Sequence, residues 1–322
     1  MTEKKYCKKQ RTKPYCPLKT ELIGHAPFQD QVELTLGTAY VKHERITSTI
    51  FLAEQESGKT ESIKKYNKNI GTVSRRRFTA WATINDLTKG KIPILFDRPK
   101  ILGHVLIYDL RMILAYKFNT VDSNIDFLDA LTEEGLQPES SYATDPDDLK
   151  GYIGLKGGIV AGINPQGLFS NIEKNTIKKI LLKGGFLSRN VIFSYNIPDK
   201  LRDVIFNSIV AGKYRKNKDY VNKITINFPR RRTHVRISNR HMIELKDITE
   251  EVLLNLNEDL AEEFKGFRLF KSLVALAKAS SLRESETKVR QVDIDRIHFL
   301  SNWMNIKQRN LKSEYSFYKG DS

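Results

Sequence analysis

The segment from Phe51 to Thr60 constrains the fold more than any other part of this sequence. An apolar run ending at Leu52 leads into a short loop that closes with Gly58-Lys59-Thr60, where a helical pattern begins. Such a loop directs backbone N–H groups and a helix N-terminus toward phosphate oxygens, while the lysine neutralises charge and the hydroxyl ligates magnesium. The segment therefore predicts a strand, a phosphate-binding loop and a helix in succession.

This loop departs from the usual pattern G-x-x-x-x-G-K-[ST] in two ways. Ala53 occupies the position of the first glycine, and Glu54 and Glu56 add negative charge close to a negative ligand. The glycine, lysine and threonine that close the loop are nevertheless in place. The residues predicted to contact the bound nucleotide are Glu56, Ser57, Gly58, Lys59, Thr60 and Glu61.

Apolar segments rich in β-branched residues alternate with helical patterns along the first two thirds of the chain, which predicts an α/β fold with a mainly parallel sheet. The candidate strands are residues 49–52, 78–84, 104–108, 158–163 and 190–194. Polar residues follow three of them, namely Glu54, Asp109 and Asn164. In open parallel sheets the ligand lies beyond the carboxyl ends of the strands. We therefore expect the chemistry at these junctions.

Each junction residue has a candidate role. Asp109 is suited to hold Mg²⁺ directly or through water, with Thr60 as the second ligand, although an aspartate after a buried strand also serves as a helix cap. Many ATPases place a glutamate after this aspartate, whereas Leu110 follows here. The Asn164 amide is suited to hydrogen-bond an attacking water or a terminal phosphate. Arg189 stands directly before an apolar strand, a position more often taken by an ordinary surface arginine.

Charge favours a polyanionic partner, either nucleic acid or an anionic membrane surface. Lys plus Arg number 54 against 38 Asp plus Glu, which gives a net charge of +16. No apolar run is long enough to span a bilayer and the basic start lacks the apolar part of a secretory signal, so we expect a cytoplasmic protein that does not insert into membranes. Cys7 and Cys16 are expected to be free thiols rather than zinc ligands.

The sequence divides into four regions. They are a basic arm at 1–22, an α/β nucleotide-binding core at 23–197, a helical region at 198–310 with a basic insert at 213–240, and a tail at 311–322. In the helical region, residues 199–211 show one amphipathic pattern. Two further helical faces are predicted, one formed by Phe267, Phe270, Val274 and Ala277 and the other by Ile294, Ile297, Ser301 and Met304.

Two basic segments interleave cations with aromatic residues. Arginines 75–77 precede Phe78 and Trp81, and the insert 213–240 holds ten Lys or Arg residues against the single acid Asp219. Cations neutralise phosphates and aromatic faces stack bases, which is typical of single-strand binding. The alternative is that these are solvated loops of a basic protein. The predicted DNA contacts here are Arg75, Arg76, Arg77, Arg230, Arg231 and Arg232.

Taken in order, these segments resemble an AAA+ ATPase of the branch that contains the MCM replicative helicases and the magnesium chelatases. Residues 127–165 are similar to the helix, insert and sensor segment of MCM proteins, and Leu187-Ser188-Arg189 resembles their Leu-Ser-Arg motif. Residues 266–279 and 289–294 are similar to the helical lid. The resemblance covers roughly residues 25–305 and does not include the amino-terminal DNA-binding domain of MCM proteins.

The resemblance implies a P-loop core followed by a helical lid, with ATP and Mg²⁺ bound between protomers of a homo-oligomeric ring or filament. It implies that Arg189 acts on the nucleotide of a neighbour, that Arg268 is the second-sensor arginine, and that Lys156 lies on a hairpin that contacts DNA in a central pore. Glu133 or Glu134 would supply the acid that is missing after Asp109.

The resemblance thus implies an oligomeric ATPase, a helicase or other motor, that acts on DNA, with replication of a virus, plasmid or other mobile element as its setting. Two alternatives stay open. One is a nucleotide-binding switch or DNA-binding scaffold that does not hydrolyse ATP. The other is an ATPase that remodels a protein client.

Overall fold

The computed structural model of the protein describes residues 25–55, 57–75, 78–138, 142, 146–165, 168, 181, 185–195, 199–211, 226, 228–256 and 266–304. The basic arm 1–22, the tail 311–322, both cysteines and residues 213–225 of the basic insert lie outside these ranges. None of the helices within them is both long enough and apolar enough to cross a membrane.

Five parallel strands form the centre of the fold. They pair in the order β2-β3-β4-β1-β5. The strands are β1 (Ser48–Leu52), β2 (Thr72–Arg75), β3 (Ile101–Ile107), β4 (Lys156–Ile163) and β5 (Asn190–Ser194). This confirms the predicted α/β fold with a parallel sheet. Because all strands run the same way, their carboxyl ends share one edge of the sheet, and their amino ends share the opposite edge.

Nine helices and three 3₁₀ turns surround the sheet in the part of the chain that the structure describes. The helices are α1 (Ala26–Gly37), α2 (Lys59–Lys64), α3 (Ala80–Thr88), α4 (Arg111–Leu114), α5 (Phe118–Thr132), α6 (Asp199–Val210), α7 (Asn239–Leu254), α8 (Phe267–Arg283) and α9 (Gln291–Ser301). The 3₁₀ turns are Thr38–Tyr40, Pro146–Tyr152 and Leu187–Arg189.

The sheet is buried on both faces, which explains why its strands are continuous apolar runs rather than alternating ones. In β1 all five residues are buried. Ile50 and Leu52 belong to a hydrophobic cluster with α3 and α5, whereas Phe51 between them belongs to a second cluster with α1, α7, α8 and α9. The period-two alternation of a strand thus joins two helical layers through one sheet.

The prediction of a strand at 78–84 is wrong, because these residues begin α3. The Thr79 side chain caps this helix by accepting a hydrogen bond from the Ala82 N–H. Ala80, Ile84 and Leu87 are buried at helical spacing. The aromatic and β-branched composition suggested a strand, and the threonine cap together with the packing of this face outweighs that preference.

The outermost strand on the β3 side of the sheet is β2, which the sequence analysis did not identify. It has only four residues, of which Val73 alone is buried. An edge strand of this length carries almost no hydrophobic pattern, so its sequence resembles a polar loop. Residues 101–107 and 156–163 extend the predicted strands β3 and β4 at their amino ends.

In the carboxyl-terminal third, α8 and α9 form where the sequence predicted helical faces, whereas α7 was not predicted. Ile294, Ile297, Ser301 and Met304 are buried, and Asp293 accepts a hydrogen bond from the Arg290 N–H at the start of α9. On α8, Phe267 is the exception, because it is 76% exposed and lies outside the packed face. Helices α7, α8 and α9 share a hydrophobic cluster with the sheet and with α1.

A buried histidine on β3 is expected to make stability depend on pH. His104 Nε2 lies 3.1 Å from the Thr47 carbonyl oxygen, and burial lowers the pKa of His104 to about 4. His104 therefore gains a proton near pH 6.5 in the unfolded chain but only near pH 4 in the folded chain. Between these values the unfolded chain binds more protons, so we expect the free energy of unfolding to fall as the pH drops.

We expect the free energy of unfolding of the wild type to fall by about 2–3 kcal/mol more than that of His104→Gln between pH 7 and pH 4. Glutamine keeps a hydrogen-bond donor but does not titrate. Denaturant unfolding at several pH values measures this difference. Replacing the exposed His298 with Gln is the control, and an equal pH dependence of all three proteins would contradict the assignment.

Candidate functional site

The loop after β1 has the geometry of a turn that leads directly into a helix. The Ala53 N–H donates to the Ile163 carbonyl, and the Glu54 carbonyl accepts from the Ser57 N–H. Gly58 is in the left-handed region at φ 77° and stands immediately before α2, a conformation that glycine adopts without strain. Glu56 lies outside the described residues.

Ala53 does not obstruct this loop. Its side chain is fully buried and its φ is not positive, so this position does not demand a glycine. The departure from the usual phosphate-loop pattern is therefore compatible with the observed backbone.

Lys59 lies beside the ends of two neighbouring strands. Partial burial lowers the pKa of its ammonium group, and the Asp109 carboxylate opposes this shift. Gly162 on β4 leaves space for the lysine, since a Cβ atom at that glycine would lie 3.3 Å from Lys59 Cδ. The Lys59 ammonium also lies 3.5 Å from the Glu54 carbonyl oxygen.

The residues around this lysine offer polar groups to a ligand. The Ser57 hydroxyl is buried and has no hydrogen-bond partner among the described residues. The side chains of Lys59 and Thr60 are partly exposed at the same turn. Buried polar groups normally have partners, so an unpartnered hydroxyl beside a lysine and a threonine is consistent with a site that receives a polar ligand.

Asp109 follows β3 and is held by an arginine that the sequence analysis overlooked. Arg111 Nε donates to Asp109 Oδ1 at 3.0 Å and Arg111 Nη2 donates to Asp109 Oδ2 at 2.6 Å. The Arg111 backbone N–H also donates to this carboxylate. A cation held by Asp109 has to displace the guanidinium. The only signal for this contact was an arginine two residues after the aspartate.

Asn164 completes the group at this edge. It follows β4, it is 6% exposed, and its carbonyl accepts a hydrogen bond from the Leu168 N–H. Because β4 lies between β3 and β1, the parallel sheet brings Asn164 to the same edge as Lys59 and Asp109. The sequence analysis expected this convergence from the polar residues that end the strands.

The opposite edge of the sheet holds Arg189. This residue precedes β5, whose first residue pairs with Ser48 at the start of β1. From Ser48 at that edge to Leu52, β1 advances by four residues, or about 13 Å. The loop that contains Lys59 begins only after Leu52. Arg189 therefore does not reach the Lys59 loop of its own chain.

Arg268 lies beside Arg189 and not beside Lys59. Arg268 Nη1 donates to Ser188 Oγ at 3.1 Å, and Arg268 Nε lies 3.2 Å from Glu133 Oε1. Glu133 follows α5 and contacts arginines at this amino edge, so it does not supply the missing acid near Asp109. Glu134, its neighbour in sequence, is exposed at the same end of α5.

A third arginine, Arg45, completes this group and was not identified from the sequence. Arg45 Nη2 donates to the Arg189 carbonyl oxygen at 2.7 Å, and Arg45 Nη1 lies 3.2 Å from Glu133 Oε1. Arg189 Nη1 in turn donates to Asp129 Oδ2 at 3.2 Å. These side chains come from four separate segments of the chain, and no local pattern links them.

A histidine that the sequence analysis also missed packs against the loop before α2. His25 Nδ1 lies 2.9 Å from Ser62 Oγ on α2, and a Cβ atom at Gly58 would lie 2.9 Å from the His25 ring. Burial and the charge of Lys65 lower the pKa of His25 to about 4, while a hydrogen bond with the Ser57 backbone opposes this shift. The ring is therefore neutral at pH 7.

The predicted DNA contacts fall into different environments. Arg75 forms an ion pair with Asp86 at 2.7 Å and is partly buried, whereas Arg230 and Arg231 are exposed. The Arg232 guanidinium donates to the carbonyl oxygens of Ala39, Val41 and Glu44, so it anchors its segment and does not face solvent freely. Arg76 and Arg77 lie outside the described residues.

Lys156 is the first residue of β4. It is exposed at the amino end of β4, and its N–H donates to the Lys100 carbonyl. The preceding described residues, Pro146–Tyr152, form a 3₁₀ turn, and the Tyr152 hydroxyl donates to the Leu87 carbonyl at the end of α3. Lys156 thus lies at the sheet edge that also carries Arg189, and its contact with DNA stays a prediction.

The sequence matches no protein-family model, and the curated proteins include no significant match to it. Function therefore has to be argued from the two groups of residues described above. Within the described ranges, the structure contains no group of three or more His, Cys, Asp or Glu residues that could hold a metal ion.

Proposed function

We propose that this protein binds ATP with Mg²⁺ at the Lys59 loop, hydrolyses it within a homo-oligomer, and acts on DNA. The observation that carries this proposal is the meeting of Lys59, Asp109 and Asn164 at the carboxyl edge of a parallel sheet. Ligands of open parallel sheets bind beyond that edge. The AAA+ core and lid implied by the resemblance belong to this proposal.

The roles of the residues follow from their chemistry. Lys59 neutralises the β and γ phosphates, and Thr60 and Asp109 hold Mg²⁺ once Arg111 has released the carboxylate. Bound Mg²⁺ would supply positive charge to the phosphate oxygens. The Asn164 amide orients the attacking water.

Oligomerisation is part of the proposal because the arginines lie at the wrong edge to act within one chain. Arg189 and Arg268 are at the amino edge, about 13 Å or more from the loop of their own chain. A head-to-tail contact between copies would bring one protomer's amino edge to the next protomer's carboxyl edge. Such a contact closes into a ring or extends as a filament.

The proposed role on DNA is supported by charge. The chain carries a net charge of +16, and Lys156, Arg230 and Arg231 are exposed. Phosphate contacts predict binding that weakens steeply with added salt. Salt-independent failure to bind DNA would instead favour a protein client.

Replacing Lys59 with alanine tests the nucleotide site. We expect the Kd for MgATP to rise at least about 100-fold, because a charge-assisted contact to two phosphates is lost. Isothermal titration calorimetry measures this change. Lys64→Ala is the matched control, because this exposed lysine lies on the same helix and pairs only with Glu61 among the carboxylates of the described residues. An equal loss of MgATP affinity in both variants would contradict a specific nucleotide site at Lys59.

A specific observation favours a second candidate function, a nucleotide-binding switch without hydrolysis. Arg111 occupies both oxygens of Asp109, and Glu133 lies at the far edge of the sheet. A protein that binds MgATP through Lys59 but shows no turnover, with or without DNA, would have this function.

A further inference from the structure

Three guanidinium groups and two carboxylates meet at the amino edge of the sheet. Arg45 comes from the loop before β1, Arg189 from the turn before β5 and Arg268 from the first turn of α8. Asp129 and Glu133 come from the end of α5. Glu133 Oε1 lies 3.2 Å from both Arg45 Nη1 and Arg268 Nε, and Asp129 pairs with Arg189 at 3.2 Å. We call this group the arginine cluster.

The arginine cluster carries more positive than negative charge. Three arginines face two carboxylates, and burial raises the pKa of Asp129 to about 7, so this carboxyl is partly protonated at neutral pH. Arg45 Nε is buried and has no hydrogen-bond partner among the described residues, and neither does Asp129 Oδ1. Excess cations with an unused donor are the complement of an anion.

The cluster is also reachable from outside. The side chain of Arg268 is 42% exposed, and those of Arg45 and Arg189 are 14% and 19% exposed. Partial exposure lets an anion approach, while partial burial keeps the local dielectric low enough for charge pairs to be strong.

We propose that Arg45, Arg189 and Arg268 form one phosphate-binding site, with Arg45 as its third cation, and that Asp129 and Glu133 are the counter-ions that an incoming phosphate displaces. The phosphate is the triphosphate held at Lys59 of a second copy of this chain. This inference rests on the proposed function, since a head-to-tail contact is what places that triphosphate at the amino edge.

The carboxylates thus act as a latch on the arginines of the free protomer. Phosphate oxygens replace the Glu133 contacts to Arg45 and Arg268 and the Asp129 contact to Arg189, so the arginines exchange one set of anions for another. Breaking the ion pairs of Glu133 and Asp129 with the arginines costs free energy, so the latch lowers the affinity for phosphate. It keeps the cluster from remaining an unpaired positive group in the isolated chain.

The latch is expected to depend on pH through Asp129. The charged groups that influence this carboxyl are Arg189, Asp126, Glu133, Arg268 and Arg45. As the pH falls from 8 to 6, Asp129 gains a proton and loses its hold on Arg189. Relative to Asp129→Asn, which does not titrate, the affinity of the wild-type cluster for phosphate should therefore rise with acidification.

The test uses inorganic tripolyphosphate as the probe and the Lys59→Ala protein as the host, because that substitution removes the loop site. We expect the additional change Arg45→Ala to weaken tripolyphosphate binding at least about tenfold by calorimetry. The matched control is Arg240→Ala in the same host, since Arg240 is exposed and, among the carboxylates of the described residues, pairs only with Glu244. Equal binding by the Arg45 and Arg240 variants would overturn the proposal.

A second variant guards against misfolding of the first. Asp129→Asn, in the same host, should tighten tripolyphosphate binding several-fold at pH 8 and leave it unchanged at pH 6, because the wild-type carboxyl is then already protonated. A gain in affinity cannot come from an unfolded protein. No gain at pH 8 would contradict the latch.

The source of the phosphate is tested with the chain that retains Lys59. Arg45→Ala alone should lower ATP turnover while leaving the MgATP affinity of isolated protomers unchanged. If turnover stays at the wild-type level, or if single-stranded DNA competes with tripolyphosphate for the cluster, a second copy is not the occupant. A separate result would contradict the proposed function itself, namely equal affinity of wild type and Lys59→Ala for MgATP.

Discussion

Replacing Arg189 with alanine is expected to reduce ATP turnover by about 10³-fold or more, with MgATP affinity of isolated protomers unchanged. The reason is distance, since Arg189 lies at the edge of the sheet opposite to Lys59 and contacts Asp129 of its own chain. Under the proposed function, an arginine there can act on a transferred phosphate only if that phosphate is bound by a neighbouring protomer. Steady-state hydrolysis and calorimetry on the same preparation separate the two effects.

Mixing two inactive proteins tests the arrangement between protomers. Lys59→Ala protein retains Arg189, and Arg189→Ala protein retains Lys59, so a mixed assembly contains intact composite sites and should recover part of the activity. Arg240→Ala serves as the control for loss of a surface charge. Failure of the mixture to recover any turnover, with both proteins folded and associating, would contradict action on a neighbour.

Replacing Asp30 with alanine is expected to lower the free energy of unfolding by about 3–5 kcal/mol, the largest effect on stability that we predict. Asp30 is fully buried on α1, and Arg283 Nη1 donates to its Oδ1 at 2.5 Å. Arg296 Nε on α9 lies 3.9 Å from Asp30 Oδ2. Removing the carboxylate leaves two nearly buried guanidinium groups with less compensation.

Denaturant unfolding of Asp30→Ala and of Glu250→Ala measures this difference. Glu250 pairs with Lys246 on the exposed face of α7, where an ion pair contributes less than about 1 kcal/mol. Comparable losses of unfolding free energy in the two variants would show that the buried ion pairs of Asp30 stabilise the fold no more than an exposed pair does. The network matters for the candidate site because α1 begins directly after His25, which packs against the loop that contains Lys59.

The carboxyl edge of the sheet was predictable from sequence because its signals are local. An apolar run that ends in a polar residue marks the end of a buried strand, and Asp109 and Asn164 follow this pattern. Parallel strands of an α/β fold share one edge, so their terminal residues converge whatever the strand order. The tripeptide Gly58-Lys59-Thr60 that closes the loop was enough to predict the position of Lys59.

The amino edge was not predictable, because its contacts depend on strand order and on long-range packing. Arg45 and Arg189 are 144 positions apart and meet only because β5 pairs with β1. The prediction of a strand at 78–84 failed for a related reason, since composition favours a strand there while packing against α5 and the cap at Thr79 favour a helix. The aspartate–arginine pair of Asp109 and Arg111 was within reach of sequence analysis and was overlooked.

The measurement that tests the central claim most directly is steady-state ATP hydrolysis by wild type and Lys59→Ala, with and without single-stranded DNA at low salt. We predict turnover by the wild type that DNA stimulates and that Lys59→Ala abolishes. Turnover that persists in Lys59→Ala would contradict the assignment of the nucleotide site. No turnover by the wild type under any condition would contradict a DNA-coupled ATPase.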